Sequence, residues 1–542
     1  MNSYRVSFVL LVCIALFLPF LGTVHLFDWD EINFAECARE MLASNNYSTV
    51  TIDYLPFWEK PPLFIWMQVY SMKLFGITAF AGRFPNFIAA IATAYFLYLA
   101  GKKVKNETFG YWWVAFYLGS FLPNLYFHSG IIDPWFNLFI IAAIYHLYKG
   151  HKNEYGIGSY LIAGVFMGLA IMTKGPVALV LVGGTAFIYF ILIRFRQFPS
   201  VKQLITFFVF TLLIGGVWFM LLINTGNKHM ISEFISYQLR LFQTQDAGHG
   251  GPFYYHFVIL LLGCFPASFF AIGYFLFQNK HKNKKESFDL WMKVVFWLTL
   301  LLFSIVSTKI IHYSSLCYFP LTYFAARWVQ ELKSTKQIKT VSIFTISYLV
   351  ILSIILLFIP YALQQKDWLI ETFNIKDPFA IANLNAKLSW SNWDYFPGLF
   401  FLVGALLSLM LLLRKQLKLA IIASLLTVAL GILTIQANTL SKIEGISQAA
   451  AIEFFQKHKN ENCYLVPLGY KSYAHLFYGE TMNHKNNKRF DEAWLCNETT
   501  DKPVYFVSKI DRKEGYLKTY PKLFVLYEKN GFVFYSKLPK AK

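Results

Sequence analysis

The chain has 542 residues, of which 56% are apolar and 19% aromatic, and only 15% are charged, compared with about 25% in soluble domains. This composition excludes a disordered chain, a collagen-like fibre and an ordinary cytosolic enzyme, and its apolar runs of about 20 residues predict a polytopic membrane protein. The formal net charge of +19 would favour nucleic-acid binding in a soluble protein, but its placement in alternate loops makes it a topology signal and argues against a nucleic-acid partner.

About thirteen apolar segments are long enough to be membrane spans. They cover residues 6–25, 80–100, 109–127, 132–149, 157–172, 176–193, 203–223, 253–277, 289–307, 312–328, 339–362, 395–413 and 419–436. Every second loop is basic, as in the runs that contain Lys102, Arg194 and Lys282, and the positive-inside rule places these loops and the N-terminus in the cytoplasm. An odd number of spans then puts the C-terminus outside the cytoplasmic membrane.

The composition becomes polar after about residue 436, which predicts a transmembrane domain over residues 1–436 and a small extracytoplasmic α/β domain over 437–542. The periodicity indicates a helix at 446–458 and strands at Val504–Ser508, Lys522–Tyr527 and Phe532–Lys537, with Asn530-Gly531 as a type I′ hairpin turn. Cys463 and Cys496 in this domain either stay free or pair, if the compartment is oxidising. The predicted fold class is therefore a membrane all-α domain plus a small α/β domain.

The first outer loop, residues 26–79, begins with the acids Asp28, Asp30 and Glu31. The residues that follow predict an amphipathic helix lying along the membrane surface. Asp28 and Glu31 have the spacing of a capping box, which explains one acid and leaves Asp30 without a structural explanation. Because three neighbouring acids repel one another, we predict a functional carboxylate at Asp30, with Glu31 as the second candidate.

Lys60 lies in the run Glu59–Pro62, directly before a predicted apolar helix, Leu63–Phe75. The two prolines suit the first turn of that helix. Since a helix N-terminus attracts anions, Lys60 is a candidate for holding the phosphate of a lipid. The alternative for Lys60, and for Arg83 at the outer end of the second span, is a side chain that only reaches to the lipid headgroups.

A set of short motifs runs through residues 1–330. They are Asp30-Glu31, Ala35-Glu36, Arg39-Glu40-Met41, Glu59-Lys60-Pro61-Pro62-Leu63, Phe75-Gly76, Arg83-Phe84-Pro85, Thr173-Lys174-Gly175-Pro176, His249-Gly250-Gly251-Pro252 with Tyr254-Tyr255, and Thr308-Lys309 with Tyr313 and Pro320. The set resembles the motifs of the membrane glycosyltransferases of the GT-C fold. The most similar group is the lipid A aminoarabinose transferases, within the protein O-mannosyltransferase-like superfamily.

The resemblance implies a protein that transfers a sugar, with inversion, from a polyprenyl-phosphate carrier to a lipid, glycan or protein acceptor at the outer face of the membrane. It implies a catalytic acid at Asp30 or Glu31, a carrier-binding lysine at Lys60, and a further acid at Asp133. It also implies that Glu59 and His249 can hold a divalent metal. Asn33 and Gly250 stand where the group often has basic residues, which leaves the sugar and the acceptor open.

Other ionisable residues also fall in outer loops or at outer span ends. Candidates for stabilising a leaving phosphate are Lys174, Arg240, Lys309 and His312, with snorkelling as the alternative for Lys174 and Lys309. Asp133 precedes Pro134 and has a helix N-cap as its alternative role. The sequence has no P-loop or GxGxxG, so we expect no nucleotide cofactor. A transporter or lipid-handling protein, and a scaffold whose outer domain binds a partner, remain the alternative functions.

Overall fold

The computed structural model describes residues 3–154, 156–243, 250–277, 287–331, 335–459, 461–483 and 486–539. Its helices in chain order are Ser3–Phe17 (α1), Asp30–Ser44 (α2), Leu63–Phe75 (α3), Ala79–Val104 (α4), Glu107–Leu118 (α5), Phe121–Leu125 (α6), Asp133–His151 (α7), Ile157–Lys174 (α8), Val177–Leu192 (α9), Val201–Gly215 (α10), Val217–Asn224 (α11), His229–Gln243 (α12), Tyr255–Gly263 (α13), Ala267–Phe277 (α14), Phe288–Ile305 (α15), Tyr318–Glu331 (α16), Thr335–Gln364 (α17), Lys366–Thr372 (α18), Pro378–Leu384 (α19), Phe396–Leu413 (α20), Leu417–Ser447 (α21), Ala449–Lys457 (α22), Ala474–Gly479 (α23), Glu492–Asn497 (α24) and Lys513–Thr519 (α25). The strands are Thr51–Ile52 (β1), Leu55–Pro56 (β2), Tyr464–Leu468 (β3), Val504–Lys509 (β4), Phe524–Lys529 (β5) and Phe532–Lys537 (β6).

The apolar helices make this a multi-pass membrane protein. Within the described ranges, six helices are long and apolar enough to cross a membrane, and two bent pairs, α10 with α11 and α13 with α14, raise the number to eight. Every segment predicted as a span contains helix, including the shorter α1 and α9. The helical character of these segments is therefore confirmed, while the number of thirteen spans stays a prediction.

Close helix packing fixes the position of α8, whose last residue enters the site described below. A side chain at Gly168 would place its Cβ 2.8 Å from the backbone nitrogen of Gly215 in α10 and 2.6 Å from Cβ of Ile214. Only a residue without a side chain allows this approach, which is the usual way in which membrane helices gain contact area. The pairing holds the outer end of α8 in a defined place.

The first outer loop folds into α2, the short β1–β2 hairpin and α3, and α3 has the bounds that the sequence predicts. Helix α2 is buried within the protein from Glu31 to Met41, and its predicted position along the membrane surface stays a prediction. Its polar residues are satisfied inside the protein: Arg39 donates two hydrogen bonds of 2.7 Å to Glu36, and Glu40 accepts from Thr51 at 2.6 Å. The C-terminal α/β domain covers this helix, which the periodicity of the helix itself could not reveal.

The C-terminal domain contains a four-stranded sheet in the order β3-β4-β6-β5, with β3 and β4 parallel and the other neighbours antiparallel. The predicted strands correspond to β4, β5 and β6, and positive φ angles at Asn530 and Gly531 agree with the predicted turn. The sequence interpretation missed β3, a five-residue strand that contains Pro467. Cys463 and Cys496 are both free and buried.

The C-terminal domain is continuous with the membrane helices on one side and packs on the first outer loop on the other. Helix α21 runs on to Ser447, so the predicted division after residue 436 falls inside it and the α/β domain begins with α22. One apolar core joins the two parts, with Phe454, Phe477 and Phe534 from the domain against Ile32 and Cys37 from α2. Burial of this shared core fixes the domain directly over the first loop.

Candidate active site

A polar cavity of about 590 Å³ lies where the first outer loop meets the N-terminal end of α7, the C-terminal end of α8 and the segment before α16. Its lining includes residues from six separate parts of the chain: Phe27, Asp28, Trp29, Asp30, Glu31, Phe34, Glu59, Lys60, Ser129, Ile131, Ile132, Asp133, Lys174, Tyr237, Thr308, Ile310, His312 and Tyr313. The cavity therefore brings together most of the ionisable residues that the sequence singles out.

A chain of charged contacts crosses the cavity. Nε2 of His312 lies 3.2 Å from Oδ2 of Asp30 and 3.7 Å from Oδ2 of Asp133. Asp133 is 3% exposed and its Oδ1 accepts a 2.6 Å hydrogen bond from Nζ of Lys174. Asp30 remains the accessible end of the chain, with a third of its side chain exposed, at 34%. An accessible carboxylate held by an imidazole is the arrangement that proton transfer requires.

Lys60 lies next to this row of charged contacts. It directly precedes the two prolines that lead into α3. Its ammonium lies 5.2 Å from the centre of the Tyr237 ring, and the hydroxyl of Tyr237 donates a 2.9 Å hydrogen bond to Glu59. Glu59 also accepts from the side chain of Gln238 through its carbonyl oxygen, at 3.3 Å. Helix α12 thus holds the Glu59-Lys60 turn with Lys60 directed at the cavity.

The charges around Asp30 keep it ionised. Burial raises the pKa of Asp30, but the hydrogen bond from His312 and the positive charges of His312, Lys60 and Lys174 reverse that effect and hold the pKa below its ordinary value of 3.8. Burial lowers the pKa of Lys60 below its ordinary 10.5, although Glu59 and Asp30 favour the charged form. At neutral pH the cavity therefore presents an anionic carboxylate close to a lysine ammonium.

An apolar recess of about 60 Å³ adjoins the cavity at Lys60 and Lys174. Its other walls are the side chains of Val177, Phe303 and Val306, at the ends of α9 and α15, together with Gln238 and Tyr313. Lys174 can stand at this junction because Gly175 ends α8 with a φ of +87°, where a side chain is strained and its Cβ would come within 2.6 Å of Phe234. The end of α8 and its close contact with Phe234 therefore explain the glycine of the Thr173–Pro176 motif.

The structure pairs Glu31 with Arg83, whereas the sequence predicted a catalytic role for Glu31 and a phosphate-binding role for Arg83. Glu31 accepts from Nε and Nη2 of Arg83 at 2.9 and 2.8 Å, from the backbone N–H of Phe27 at 2.9 Å and from that of Gly130 at 2.5 Å. Arg83 also donates to three backbone carbonyls, those of Leu21, Val24 and His25. All five N–H donors of Arg83 are thus occupied inside the protein, so the phosphate-binding role predicted for it is wrong. Glu31, which lines the cavity, is a structural partner of Arg83.

We expect Arg83→Ala to destabilise the protein rather than to weaken phosphate binding specifically. The substitution leaves the buried carboxylate of Glu31 and three carbonyls without their donor, which costs about 3–5 kcal/mol for a buried pair. Thermal unfolding in detergent, followed by tryptophan fluorescence, measures the loss. Arg196→Ala, at an exposed arginine, is the matched control. An Arg83→Ala protein of normal stability with weaker polyprenyl-phosphate binding would restore the original prediction.

Two further predicted residues, Lys309 and Arg240, are not among the side chains that line the cavity. Lys309 donates hydrogen bonds to the carbonyls of Phe303, Ser304 and Val306 at 2.6–3.0 Å. Its three ammonium donors therefore cap the C-terminal end of α15. Because they are occupied there, the predicted phosphate role is wrong. The Arg240 guanidinium lies 5.2 Å from the Tyr237 ring on the exposed side of α12. His249 is outside the described residues.

The capping roles that the sequence left as alternatives do not occur. Trp29 precedes the first residue of α2 and no side chain caps that end, because Asp28 accepts from Ser472 of the C-terminal domain. Asp133 is the first residue of α7 and makes no cap hydrogen bond there. Sequence reasoning also missed Tyr237, whose only signal is its place on the amphipathic stretch that becomes α12.

Glu59 and His249 were predicted as metal ligands. In the described part of the chain, no three His, Cys, Asp or Glu side chains are grouped as a metal site, and Glu59 is engaged by Tyr237. The described residues therefore offer a metal ion no set of ligands. A metal at Glu59 and His249 stays a prediction.

Comparisons with known proteins agree with the geometry. The profile of the dolichyl-phosphate-mannose-protein mannosyltransferase family matches residues 59–233. The undecaprenyl phosphate-alpha-4-amino-4-deoxy-L-arabinose arabinosyl transferase of Wigglesworthia glossinidia brevipalpis is 28% identical over 368 residues, 66% of this chain and 64% of that protein. A protein of the same name from Proteus mirabilis is 28% identical over 60% of this chain and 59% of its own length. The matches thus span less than two thirds of these relatives.

Solved structures extend the likeness to the whole chain. The crystal structure of ArnT from Cupriavidus metallidurans bound to undecaprenyl phosphate has a TM-score of 0.78 at 16% identity, covering 100% of this chain and 99% of that one. The apo structure of the same protein gives 0.76 at 17% identity. This likeness establishes a shared fold, including the C-terminal domain. The chain therefore shares the fold of these ArnT structures, and over part of its length its sequence is similar to the mannosyltransferase family profile and to the arabinosyl transferases.

Proposed function

We propose that this chain is an integral-membrane glycosyltransferase that takes a sugar from a polyprenyl-phosphate carrier and transfers it to an acceptor at the outer face of the cytoplasmic membrane. The observation that carries the proposal is one cavity in which an accessible carboxylate, Asp30, lies with two lysines, Lys60 and Lys174, where an apolar recess adjoins. A polyprenyl-phosphate donor has the matching parts: a long apolar chain, a phosphate and a sugar.

In the proposed reaction, Asp30 accepts the proton of the acceptor hydroxyl as its oxygen attacks the anomeric carbon. The new carbon–oxygen bond forms on the face opposite the phosphate, so the configuration inverts. The bond between the anomeric carbon and the phosphate oxygen breaks, and the polyprenyl phosphate leaves with the bonding electrons. Lys60 and Lys174 stabilise the negative charge that develops on that phosphate.

His312 is placed to orient the carboxylate rather than to react. Its Nε2 lies between Asp30 and Asp133, and Lys174 fixes Asp133 from the other side. The imidazole therefore couples the position of the general base to one of the phosphate-binding lysines. Movement of Lys174 towards a donor phosphate would strengthen the hold of Asp133 on His312.

The names of the relatives suggest the donor. Both curated relatives are named for undecaprenyl phosphate-alpha-4-amino-4-deoxy-L-arabinose, and the similar crystal structure holds undecaprenyl phosphate. We propose undecaprenyl phosphate as the carrier and leave the acceptor as a lipid, glycan or protein. The transporter alternative gains no support from these relatives. The proposed orientation has a cytoplasmic N-terminus and an extracytoplasmic C-terminal domain.

Reconstitution tests the proposal. The purified protein in liposomes is given undecaprenyl phosphate carrying 4-amino-4-deoxy-L-arabinose or a hexose, with lipid A as one acceptor and water as the other. We expect release of undecaprenyl phosphate together with a glycosylated acceptor, detected by mass spectrometry. Intact donor that only changes leaflet, with no bond cleavage, would instead establish a lipid transporter.

The titration of the site predicts a characteristic pH profile. Because the pKa of Asp30 is held below 3.8, the base stays ionised and kcat/KM is flat on the acidic side down to about pH 5. Because burial lowers the pKa of Lys60, its cation and kcat/KM are lost as pH rises, at a value below 10.5. Lys60→Arg keeps its charge at high pH and should move the alkaline limb upward. An unchanged alkaline limb in Lys60→Arg would mean that the loss of kcat/KM at high pH does not come from Lys60.

A further inference from the structure

His312 lies on a short 3₁₀ turn, Ile311–Cys317, which directly precedes α16. Ser315 of the same turn is fully buried, and its hydroxyl donates a hydrogen bond to the carbonyl oxygen of His312. The same hydroxyl accepts a 2.8 Å hydrogen bond from Nδ2 of Asn137, which is buried and belongs to α7. Two buried hydrogen bonds in sequence therefore link α7 to the backbone of His312.

Helix α7 contacts the ring of His312 directly and its backbone through Ser315. Asp133 begins the helix, and its Oδ2 lies 3.7 Å from Nε2 of the ring. Asn137 follows four residues later, on the same face of the helix. The ring and the backbone of His312 are thus both fixed relative to one helix. Because Asp30 contacts the same Nε2 at 3.2 Å, this arrangement sets where the imidazole meets the carboxylate.

Stability alone does not explain a buried amide and a buried hydroxyl at this place. Hydrogen bonds between helices of membrane proteins contribute little on average, because the unfolded chain in the membrane also finds partners. Two apolar side chains of similar shape would fill the same space at nearly the same free energy. Apolar contacts are not directional, whereas hydrogen bonds are, so only the polar pair fixes the carbonyl of His312 in one position.

We propose that Asn137 and Ser315 are positioning residues, which hold His312 so that its Nε2 meets the carboxylate of Asp30. Neither side chain is among those that line the cavity, so both act through His312 and not on the reacting atoms. The inference rests on the proposed function and extends it to residues outside the cavity lining that support the proposed base. Loss of the pair displaces the imidazole from Asp30.

Two variants remove the pair. Ser315→Ala removes the hydroxyl and takes this partner from the buried amide of Asn137. Asn137→Leu combined with Ser315→Ala removes both polar side chains together, which costs less stability and keeps the test possible if the single variant does not fold. The matched control is Ser314→Ala, the same substitution at the preceding residue. Ser314 is also fully buried, but its Oγ lies 3.0 Å from Nδ1 of His256 in α13.

We expect kcat to fall about tenfold in Ser315→Ala and in the double variant, and to stay close to the wild-type value in Ser314→Ala. The acidic limb of kcat/KM should move to higher pH in the first two, because burial raises the pKa of Asp30 and the hydrogen bond from His312 opposes that rise. Binding of undecaprenyl phosphate should be unchanged. In a His312→Gln protein, Ser315→Ala should cause no further loss, as expected of a residue that acts only through His312.

A spectroscopic readout tests the same inference without turnover. In protein labelled with carbon-13 at the ring Cε1 of histidine, the NMR signal of His312 is identified by its absence from His312→Gln. The signal should move in Ser315→Ala and in the double variant, and stay in place in Ser314→Ala.

Four results would each overturn the inference. They are a His312 signal that does not move in the double variant, an unchanged acidic limb in that variant, equal effects in Ser314→Ala, and an additional loss from Ser315→Ala in the His312→Gln background. Failure of the proposed function would appear separately, as a wild type that binds undecaprenyl phosphate and transfers no sugar while the His312 signal still responds to Ser315→Ala.

Discussion

Asp30→Asn is expected to lower the transfer rate by about 10³-fold while leaving the protein folded and inserted. The amide keeps the shape of the side chain and a contact with His312, but it cannot accept the proton of the acceptor hydroxyl. Because a third of the side chain is exposed, at 34%, the loss of its charge has little effect on packing. Single-turnover transfer from a polyprenyl-phosphate sugar, with protein amount normalised by detergent-solubilised yield, measures the effect.

The control for Asp30→Asn is Asp367→Asn, an exposed acid of the same type that lines none of the cavity. We expect normal transfer in that variant. Donor binding should persist in Asp30→Asn, because the lysines that face the phosphate are unchanged. Transfer at the wild-type rate by Asp30→Asn would exclude Asp30 as the base and make Asp133, another carboxylate that lines the cavity, the next candidate.

Lys60→Ala is expected to reduce kcat by about 10²–10³-fold. Its ammonium faces the cavity beside Asp30, and the charge on the leaving phosphate is greatest in the transition state. The effect should therefore appear more strongly in kcat than in the affinity for undecaprenyl phosphate. Steady-state transfer assays and binding of undecaprenyl phosphate alone separate the two quantities.

Lys73→Ala is the matched control for Lys60→Ala, because Lys73 belongs to the same outer loop and also lies over a tyrosine ring, 4.7 Å from the centre of Tyr47. Lys174→Ala is a less clean test, since it also removes the partner of the buried Asp133. Equal losses of kcat in Lys60→Ala and Lys73→Ala would mean that transfer depends on an intact first outer loop rather than on the ammonium of Lys60.

The site shows how far a reading of the sequence could reach. Asp30, Lys60, Lys174 and His312 were candidates because ionisable residues next to apolar spans are costly unless they have a purpose. Arg83 and Lys309 satisfied the same criterion and proved to be structural. Local sequence could not separate the two groups, because the partners of Arg83 are a carboxylate 52 residues away and the carbonyls of another segment.

The amphipathic helix α2 illustrates the same limit for the fold. Its period and its acidic start were legible in the sequence, and so was its neighbour α3, whose first turn follows Pro61-Pro62. The environment of α2 could not be predicted from the sequence. The surface that buries Glu36 and Arg39 comes from a domain that begins about four hundred residues later. Periodicity describes which residues share a face but not what that face contacts.

The sequence by itself determined the membrane class, the helical segments, three strands of the C-terminal sheet and the motifs that resemble those of GT-C glycosyltransferases. Each of these follows from local periodicity, turn chemistry or short motifs, which need no knowledge of distant residues. Only the tertiary structure decided which cations reach the cavity, that Glu31 serves Arg83, and that Ser472 of the last domain holds Asp28, 444 residues earlier. The physical reason is that the role of a charged group depends on its nearest partners, and folding alone brings those partners together.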